Sequence, residues 1–187
     1  MLLIVGLGNP GSSFTKTRHN IGFEIIDSFH SAHKFGKFVK KFDGLFSKKK
    51  IFNQNIILFK PMQYMNLSGS SLNRIINFYN IDAENNLIVI HDDLDMNFSK
   101  IKIKYSGGHG GHNGVRNIID FLGEKFFRIK IGIKNKSIIE KNILPTKFVL
   151  ERFERTEIKK IEIVKKFFVD NFEIIVDKKF SLLNNKP

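Results

Sequence analysis

The sequence lacks cysteine altogether, and this absence limits the chemistry that its 187 residues can support. Without thiols the chain forms no disulfide bridge, holds no thiolate zinc site and has no cysteine nucleophile. No basic region precedes the short apolar start, so we expect no secretory leader. No apolar run approaches the roughly 20 residues that span a bilayer, so we expect no membrane-spanning segment.

Acidic residues are scarce relative to basic ones. The chain has 31 Lys and Arg against 18 Asp and Glu, a formal charge of +13. Such an excess favours a polyanionic partner, either nucleic acid or an acidic membrane surface. A lysine-rich genome composition is the alternative, and it would carry no function. Internal repeats and linkers rich in Gly, Ser or Pro are also missing, which predicts a single domain over residues 1–187.

Apolar patterning predicts strands that alternate with helices. The predicted strands cover residues 2–5, 45–51, 56–60, 87–90, 100–105 and 128–133. The predicted helices cover residues 19 or 20 to 32, a segment that Ser68 caps, residues 115–122, and an amphipathic C-terminal segment at about 155–176. Lysines alternate with apolar residues over Lys100–Tyr105, which is typical of a strand exposed on one face. We therefore expect an α/β fold with a mixed, twisted sheet flanked by helices on both faces.

The first predicted strand runs into a glycine turn, and this turn allows two interpretations. Its glycines, Gly6, Gly8 and Gly11, have the G-x-G-x-x-G spacing of dinucleotide-binding folds. Pro10 argues against that function, because it has no N–H to offer a pyrophosphate. Asp27 also argues against it, because this carboxylate lies in a predicted helix instead of ending a second strand. The alternative is that the glycines form a floor that a ligand approaches closely, beside His19.

A metal site is a second possibility. Carboxylates and imidazoles near strand ends bind divalent cations. The candidate ligands are His91, Asp92, Asp93, Asp95, His109 and His112. Against this interpretation, adjacent residues after a strand tend to point apart, and no H-E-x-x-H or similar spacing is present.

A hydrolytic site joins these segments most economically. The strands before Asn9 and Asp92 end at the edge of an α/β sheet where ligands bind, and His19 begins the helix after the first strand. A carboxylate beside an imidazole fixes its tautomer and stabilises its protonated form, so the histidine can take a proton from water. Amides at Asn9, Asn66 and Asn113 offer donors and acceptors without charge. With no G-x-S-x-G turn and no cysteine, direct attack of water on an acyl or ester carbon is favoured.

Five motifs, in the same order along the chain, closely resemble those of bacterial peptidyl-tRNA hydrolases. They are Gly6–Gly11 (GLGNPG), Thr17–Asn20 (TRHN), Met65–Gly69 (MNLSG), His91–Asp95 (HDDLD) and Gly110–Gly114 (GGHNG). The resemblance covers most of the chain. It implies an enzyme that hydrolyses the ester between a peptide and the 3′-ribose of tRNA, which recycles tRNA from peptidyl-tRNA released by stalled or aborted ribosomes.

The resemblance also implies the partners and the roles of residues. We expect a cytoplasmic monomer without cofactor, metal or membrane partner, which contacts the acceptor stem and 3′ end of peptidyl-tRNA. His19 would be the general base and Asp92 its orienting partner. Asn9 and Asn66 would hold water and substrate, and Asn113 would contact the peptide or the tRNA end. A non-catalytic RNA-binding module is the competing hypothesis.

Four further positions concern substrate contacts. Lys104 matches a family position that helps to hold a tRNA phosphate, and Tyr64 is an additional candidate contact. Phe14 stands where the family usually has tyrosine, so a hydroxyl contact is missing. Lys130 occupies a basic position often filled by arginine, and lysine lacks the bidentate fork. Residues 134–136 lack the His-Pro-Gly common after that strand, so the sequence predicts no particular shape for this loop.

Overall fold

A computed structural model describes residues 1–183, except the side chain of residue 139, and a seven-stranded sheet forms its centre. The strands are β1 (Leu2–Gly6), β2 (Val39–Lys41), β3 (Gly44–Ile51), β4 (Gln54–Pro61), β5 (Leu87–Asn97), β6 (Ile101–Tyr105) and β7 (Phe127–Lys134). Their order across the sheet is β2-β3-β4-β1-β5-β7-β6. Strands β4, β1, β5 and β7 are parallel, whereas β3 and β6 run antiparallel to their neighbours. The predicted mixed sheet is confirmed.

Helices cover both faces of this sheet, as predicted. They are α1 (Ile21–Ala32), α2 (Ser68–Tyr79), α3 (Ala83–Asn86), α4 (Asn113–Leu122), α5 (Lys136–Glu140), α6 (Pro145–Phe148), α7 (Arg155–Asp170) and α8 (Phe172–Val176). Leu2 and Ile4 of β1 pack in the core beneath α1, α7 and α8. Leu3 and Val5 pack in the core beneath α2 and α4. Because both faces are buried, β1 is apolar without interruption, and β5 begins with the apolar run Leu87–Ile90.

Strand β5 is longer than predicted, and this changes the setting of the acidic motif. The sequence predicts a strand over residues 87–90, but β5 continues to Asn97. Its pairing with β7 continues through His91, Asp92 and Asp93 before the register shifts. The expectation that Asp92 follows the end of its strand is therefore wrong, because Asp92 is paired with β7 inside β5.

The C-terminal helix predicted at 155–176 is wrong as a single element. Helix α7 ends at Asp170, and α8 starts at Phe172. The amide of Asn171 donates a hydrogen bond to the carbonyl of Phe167 at 2.8 Å, which competes with the helical backbone pattern. The break lets Phe172 pack fully buried against Phe29, with ring centroids 4.3 Å apart.

The predicted cap of α2 is also wrong. The N-cap residue is Leu67, and Ser68 is already helical, with its hydroxyl donating to the carbonyl of Met65. A 3₁₀ turn over Met65–Leu67 leads directly into α2, so the helix begins without a side-chain cap. No helix within residues 1–183 is both long enough and apolar enough to cross a bilayer.

The glycines of the first turn serve helix packing. A Cβ on Gly6 would lie 2.1 Å from the carbonyl oxygen of Gly22 in α1, and a Cβ on Gly8 would lie 2.7 Å from the ring of Phe23. These two positions are therefore occupied by α1, and they do not form a floor for a ligand. Close packing on α1 accounts for Gly6 and Gly8, so their spacing gives no support to the dinucleotide interpretation.

We predict that Gly22→Ala destabilises the protein by about 1–3 kcal/mol, because overpacking forces the backbone apart. The added Cβ would meet the nitrogen of Leu7 at 2.4 Å and the oxygen of Ile90 at 2.5 Å. Gly36→Ala is the matched control, since its Cβ would meet none of the described atoms within 4 Å. Urea unfolding gives the free energy of unfolding of each variant. Equal free energies for the two variants would contradict the packing argument.

Candidate active site

The carboxylate of Asp92 lies between two histidines. Its oxygens are 2.8 and 2.9 Å from Nδ1 of His19, and its Oδ1 is 3.0 Å from Nε2 of His112. Asp92 is 2% exposed, so water does not screen these interactions. Burial on its own raises the pKa of Asp92, but His19 and His112 outweigh this effect and hold the pKa well below its usual range. The carboxylate is therefore ionised and accepts hydrogen bonds.

These contacts assign the tautomer of each histidine. Because Asp92 accepts at Nδ1 of His19, that nitrogen carries the proton, and Nε2 is left as the basic atom. His112 is the N-cap of α4, and its Nδ1 accepts from the backbone N–H of Val115 at 3.3 Å. His112 therefore donates to Asp92 through Nε2. One histidine can act as a base, while the other holds the carboxylate.

The pKa of His19 is raised above 6.5 despite its burial. Desolvation lowers the pKa, but the charge and the hydrogen bond of Asp92 outweigh it. His91 behaves differently, because burial and the neighbouring His112 lower its pKa to about 3. His91 is thus neutral, and its Nδ1–H donates to the backbone oxygen of Asp92 at 2.7 Å. This bond fixes the main chain that carries the carboxylate.

The turn that carries His19 is anchored by a distant segment of the chain. The backbone N–H of His19 donates to the carbonyl of Val149 at 2.8 Å. Arg18 is 1% exposed, and its guanidinium lies 4.3 Å from the ring centroid of Phe148. The same guanidinium donates to the carbonyl of Arg152 and to the carboxylate of Glu157, both at 2.8 Å. The segment before α7 therefore sets the position of His19.

Asn9 is held by a reciprocal pair of hydrogen bonds. The side chain of Asn20 accepts from the backbone N–H of Asn9 at 2.8 Å and donates to its carbonyl at 2.9 Å. The side-chain oxygen of Asn9 accepts from the backbone N–H of Met65 at 2.8 Å. Asn9 therefore keeps its side-chain NH₂ available to a ligand, next to the turn of His19.

Asn66, Tyr64 and Phe14 form an exposed rim beside Asn9. Asn66 lies in the turn that Asn9 holds through Met65, and its side chain is exposed. Tyr64 is 60% exposed, and its ring packs edge-on to that of Phe14 at 6.4 Å. Within this aromatic pair Phe14 has no hydroxyl, so Tyr64 is the residue that presents one at the rim.

A cavity of about 200 Å³ lies over the histidines. Its lining includes His19, Asp92, His112, Asn113, Pro145 and Val149. Asn113 is the first residue of α4 and is exposed to the cavity mouth. The glycine loop before it is pinned by the buried Arg128, which donates to the carbonyl of Gly108 at 2.8 Å. The cavity brings Asn113 together with the predicted base and its partner.

The two candidate phosphate contacts, Lys104 and Lys130, differ in whether an acidic side chain pairs with them. Lys104 is exposed on β6, and its ammonium lies close to Gly107. A Cβ placed on Gly107 would lie 2.5 Å from the nitrogen of that ammonium. Lys130 is paired with the carboxylate of Asp93, and its side chain is 23% exposed. That partner lowers the pKa of Asp93, whose burial acts in the opposite direction. Lys104 is thus free of an acidic partner among the described residues, whereas Lys130 would have to share its charge with Asp93.

The predicted metal ligands do not come together as a set. Asp93 pairs with Lys130, Asp95 is exposed, and Nδ1 of His109 accepts from the backbone of Gly111. Within residues 1–183, the donor atoms that do converge belong to His19, Asp92 and His112, within 4.8 Å of one another. These atoms already form the hydrogen bonds of the site, so a metal ion would have to replace them.

Comparison with known proteins places this geometry in a family. The sequence model of peptidyl-tRNA hydrolase matches residues 3–186. The chain belongs to the peptidyl-tRNA hydrolase family. It is 43% identical to the peptidyl-tRNA hydrolase of Fusobacterium nucleatum, over 87% of this chain and 82% of the relative. It is 38% identical to that of Pelagibacter ubique over the full length of both chains.

A solved structure of the family supports the fold. The crystal structure of peptidyl-tRNA hydrolase from Acinetobacter baumannii superposes with a TM-score of 0.87 at 34% identity. The match covers 100% of this chain and 93% of the solved chain. The mixed sheet and its covering helices are therefore those of the peptidyl-tRNA hydrolase family.

Sequence reasoning missed several residues that build this family's site here. Arg18 and Asn20 flank His19 in the Thr-Arg-His-Asn motif. Their position beside the predicted base was the one sign that they help to build the site. Arg128 lay in a predicted strand and showed no sign of reaching the glycine loop. The sequence did not decide whether His112 takes part, because its contact with Asp92 spans 20 residues.

We predict that catalysis depends on the neutral form of His19, so activity falls as pH decreases through a pKa above 6.5. Asp92→Asn removes the charge that raises this pKa and leaves burial, which lowers it. The residual activity of the variant is then expected to be low, with its acidic limb shifted to lower pH. The pH profile of kcat/KM measures both effects. An acidic limb that stays at the same pH in Asp92→Asn would contradict the assignment.

Proposed function

We propose that this protein hydrolyses peptidyl-tRNA, with water attacking the ester that joins the peptide to the 3′-ribose. Membership of the peptidyl-tRNA hydrolase family supports the reaction. The observation that carries the assignment of roles is the pair of contacts at 2.8 and 2.9 Å between His19 and Asp92. Because the reaction occurs where translation occurs, we also propose a cytoplasmic location. We propose that the protein acts as a monomer, as the family resemblance implies.

His19 is the proposed general base. Its Nε2 takes a proton from water while the water oxygen bonds to the ester carbonyl carbon. The imidazolium that forms is stabilised by the ionised Asp92, which retains its negative charge. When the tetrahedral intermediate collapses, the bond to the ribose oxygen breaks, and that oxygen takes the proton back from His19. The products are tRNA with a free 3′-hydroxyl and the peptide acid, which releases the second proton of the water to solvent and becomes a carboxylate.

Uncharged amides are proposed to hold the reactants. The side-chain NH₂ of Asn9 is free because its oxygen is occupied by the N–H of Met65. Asn113 lines the cavity and can donate to the ester carbonyl oxygen, where negative charge develops. Asn66, Tyr64 and Phe14 are proposed contacts for the 3′ end or the peptide at the rim. Such groups recognise the peptide backbone and the sugar, as suits substrates of varied sequence.

The acceptor stem is proposed to lie over the basic face at the β6 edge. Lys100, Lys102 and Lys104 are exposed there. A-form RNA is contacted through phosphates and sugar hydroxyls, because its major groove is too deep and narrow for side chains. Lys104 is the main proposed phosphate contact. Lys130 contributes less, because it is paired with Asp93 and has no arginine fork.

We predict that His19→Ala lowers kcat by at least about a hundredfold, the usual contribution of general base catalysis. The substrate is an N-acetyl-aminoacyl-tRNA, and release of tRNA with a free 3′ end is measured under single-turnover conditions. Turnover within a fewfold of wild type would contradict the role of His19.

His30→Ala is the matched control, because His30 stacks on Phe38 and does not line the cavity. Circular dichroism verifies that both variants are folded. Each assay is repeated with EDTA, and an unchanged wild-type rate is expected. A wild-type protein that binds tRNA without cleaving the ester would instead support the RNA-binding module.

We predict that Lys104→Ala weakens tRNA binding and reduces the slope of log K against log salt by about one unit, as loss of one phosphate contact does. Lys159→Ala is the control, because Lys159 is an exposed lysine on α7. Fluorescence anisotropy with labelled tRNA at several salt concentrations measures both. Equal changes in the two variants would show that overall charge, and not the β6 edge, determines binding.

A further inference from the structure

A second, larger groove begins beside Asn9 and leads away from the histidines. Its volume is about 860 Å³, which is within the range of ligand-binding clefts. Asn9, Pro10 and Asn20 line its near end, and Ser31 and Ala32 line its far end. It lies between α1, α7 and the end of β4, and the catalytic cavity shares none of its lining residues.

The length of the groove fits a short extended peptide. It follows one face of α1 from Asn20 to Ala32, which is about 18 Å at the helical rise of 1.5 Å per residue. An extended chain covers about 3.3–3.6 Å per residue, so about five residues fit. The end nearest the ester is formed by Asn9 and Asn20, whose neighbour in the chain is His19.

The groove and the basic face lie on opposite sides of the reacting centre. Asp92 lies on β5 and His19 contacts it, so the reacting centre is in the middle of the sheet. The lysines proposed to contact tRNA are on β6, beyond β5 and β7. The groove is on the other side, towards β4 and β3, where Lys60 and Leu45 line it. An ester held at the centre would therefore have tRNA on one side and its peptide facing the groove.

The charge of the groove suits a peptide and not RNA. Four lysines and four carboxylates line it, although the whole chain carries +13. Most of these charges are paired within the groove, as in Lys60 with Asp27 and Lys166 with Asp170. Phe23, Leu45 and Val169 add apolar surface. A neutral lining gives no attraction to a polyanion, whereas apolar surface and mixed polar groups accept many peptide sequences.

Glu24 and Lys165 form another charge pair in this lining. The carboxylate of Glu24 lies 3.8 Å from the ammonium of Lys165, so these two charges also offset each other within the groove.

We propose that this groove binds the peptide part of peptidyl-tRNA, about five residues beyond the ester, in extended conformation. This inference rests on the proposed function. It makes the length of the peptide a determinant of the specificity constant, through contacts that a single blocked amino acid cannot reach.

The test compares two substrates that share one tRNA and one C-terminal amino acid: an N-acetyl-aminoacyl-tRNA and an N-acetyl-hexapeptidyl-tRNA. Ser31→Trp fills the far end of the groove from an exposed position. We expect kcat/KM for the hexapeptidyl substrate to fall about three- to tenfold, mostly through KM, which corresponds to about 0.7–1.4 kcal/mol. Cleavage of the short substrate is expected to be unchanged.

Two further variants secure the interpretation. Lys166→Trp obstructs the groove from α7 and is expected to have the same selective effect, so the result does not depend on one variant folding well. Asn77→Trp adds the same side chain to an exposed position on α2 outside the groove and is expected to affect neither substrate.

Equal effects on both substrates, or no effect of either groove variant, would overturn the inference while leaving the proposed function intact. A wild-type protein that cleaves neither substrate would instead overturn the proposed function, and the inference with it.

Discussion

The site depends on one buried carboxylate. Asp92 is almost inaccessible to water, yet it remains ionised because two imidazoles donate hydrogen bonds to it. A buried charge without such partners would cost several kcal/mol. The two histidines are therefore needed to stabilise Asp92, and Asp92 in turn determines which nitrogen of His19 is basic. The tautomer of His112, held by the backbone of α4, completes this arrangement.

The fold brings these groups together by close packing and long-range anchoring. Gly6 and Gly22 let α1 approach β1 closely, and the turn before α1 places His19 beside Asp92 of β5. Arg18 then joins the same turn to the segment before α7 through the carbonyl of Arg152, and to α7 itself through Glu157. Glu157 also accepts from Asn135, at the end of β7. The base is thus positioned from both ends of the sequence, and its geometry depends on the integrity of the C-terminal helices.

The sequence was sufficient to predict six of the seven described strands, the two helical layers and the meeting of His19 with Asp92, but not the short edge strand β2. These predictions rest on periodicity and on the rule that parallel strands end at one edge. It was not sufficient for contacts between distant segments. The turn of Asn171 depends on a side chain competing with the helix, and the pairing of Lys130 with Asp93 depends on the register of two strands. The glycines suggested a ligand floor because sequence spacing does not distinguish close approach of a helix from close approach of a ligand.

The most direct test of this account is the protonation of His19 in the free protein. Nitrogen-15 NMR of labelled histidine distinguishes a proton on Nδ1 from one on Nε2 and follows the titration of the ring. The account predicts that neutral His19 carries its proton on Nδ1 and titrates with a pKa above 6.5. A neutral His19 protonated on Nε2 would leave no basic nitrogen for water and would contradict the central claim.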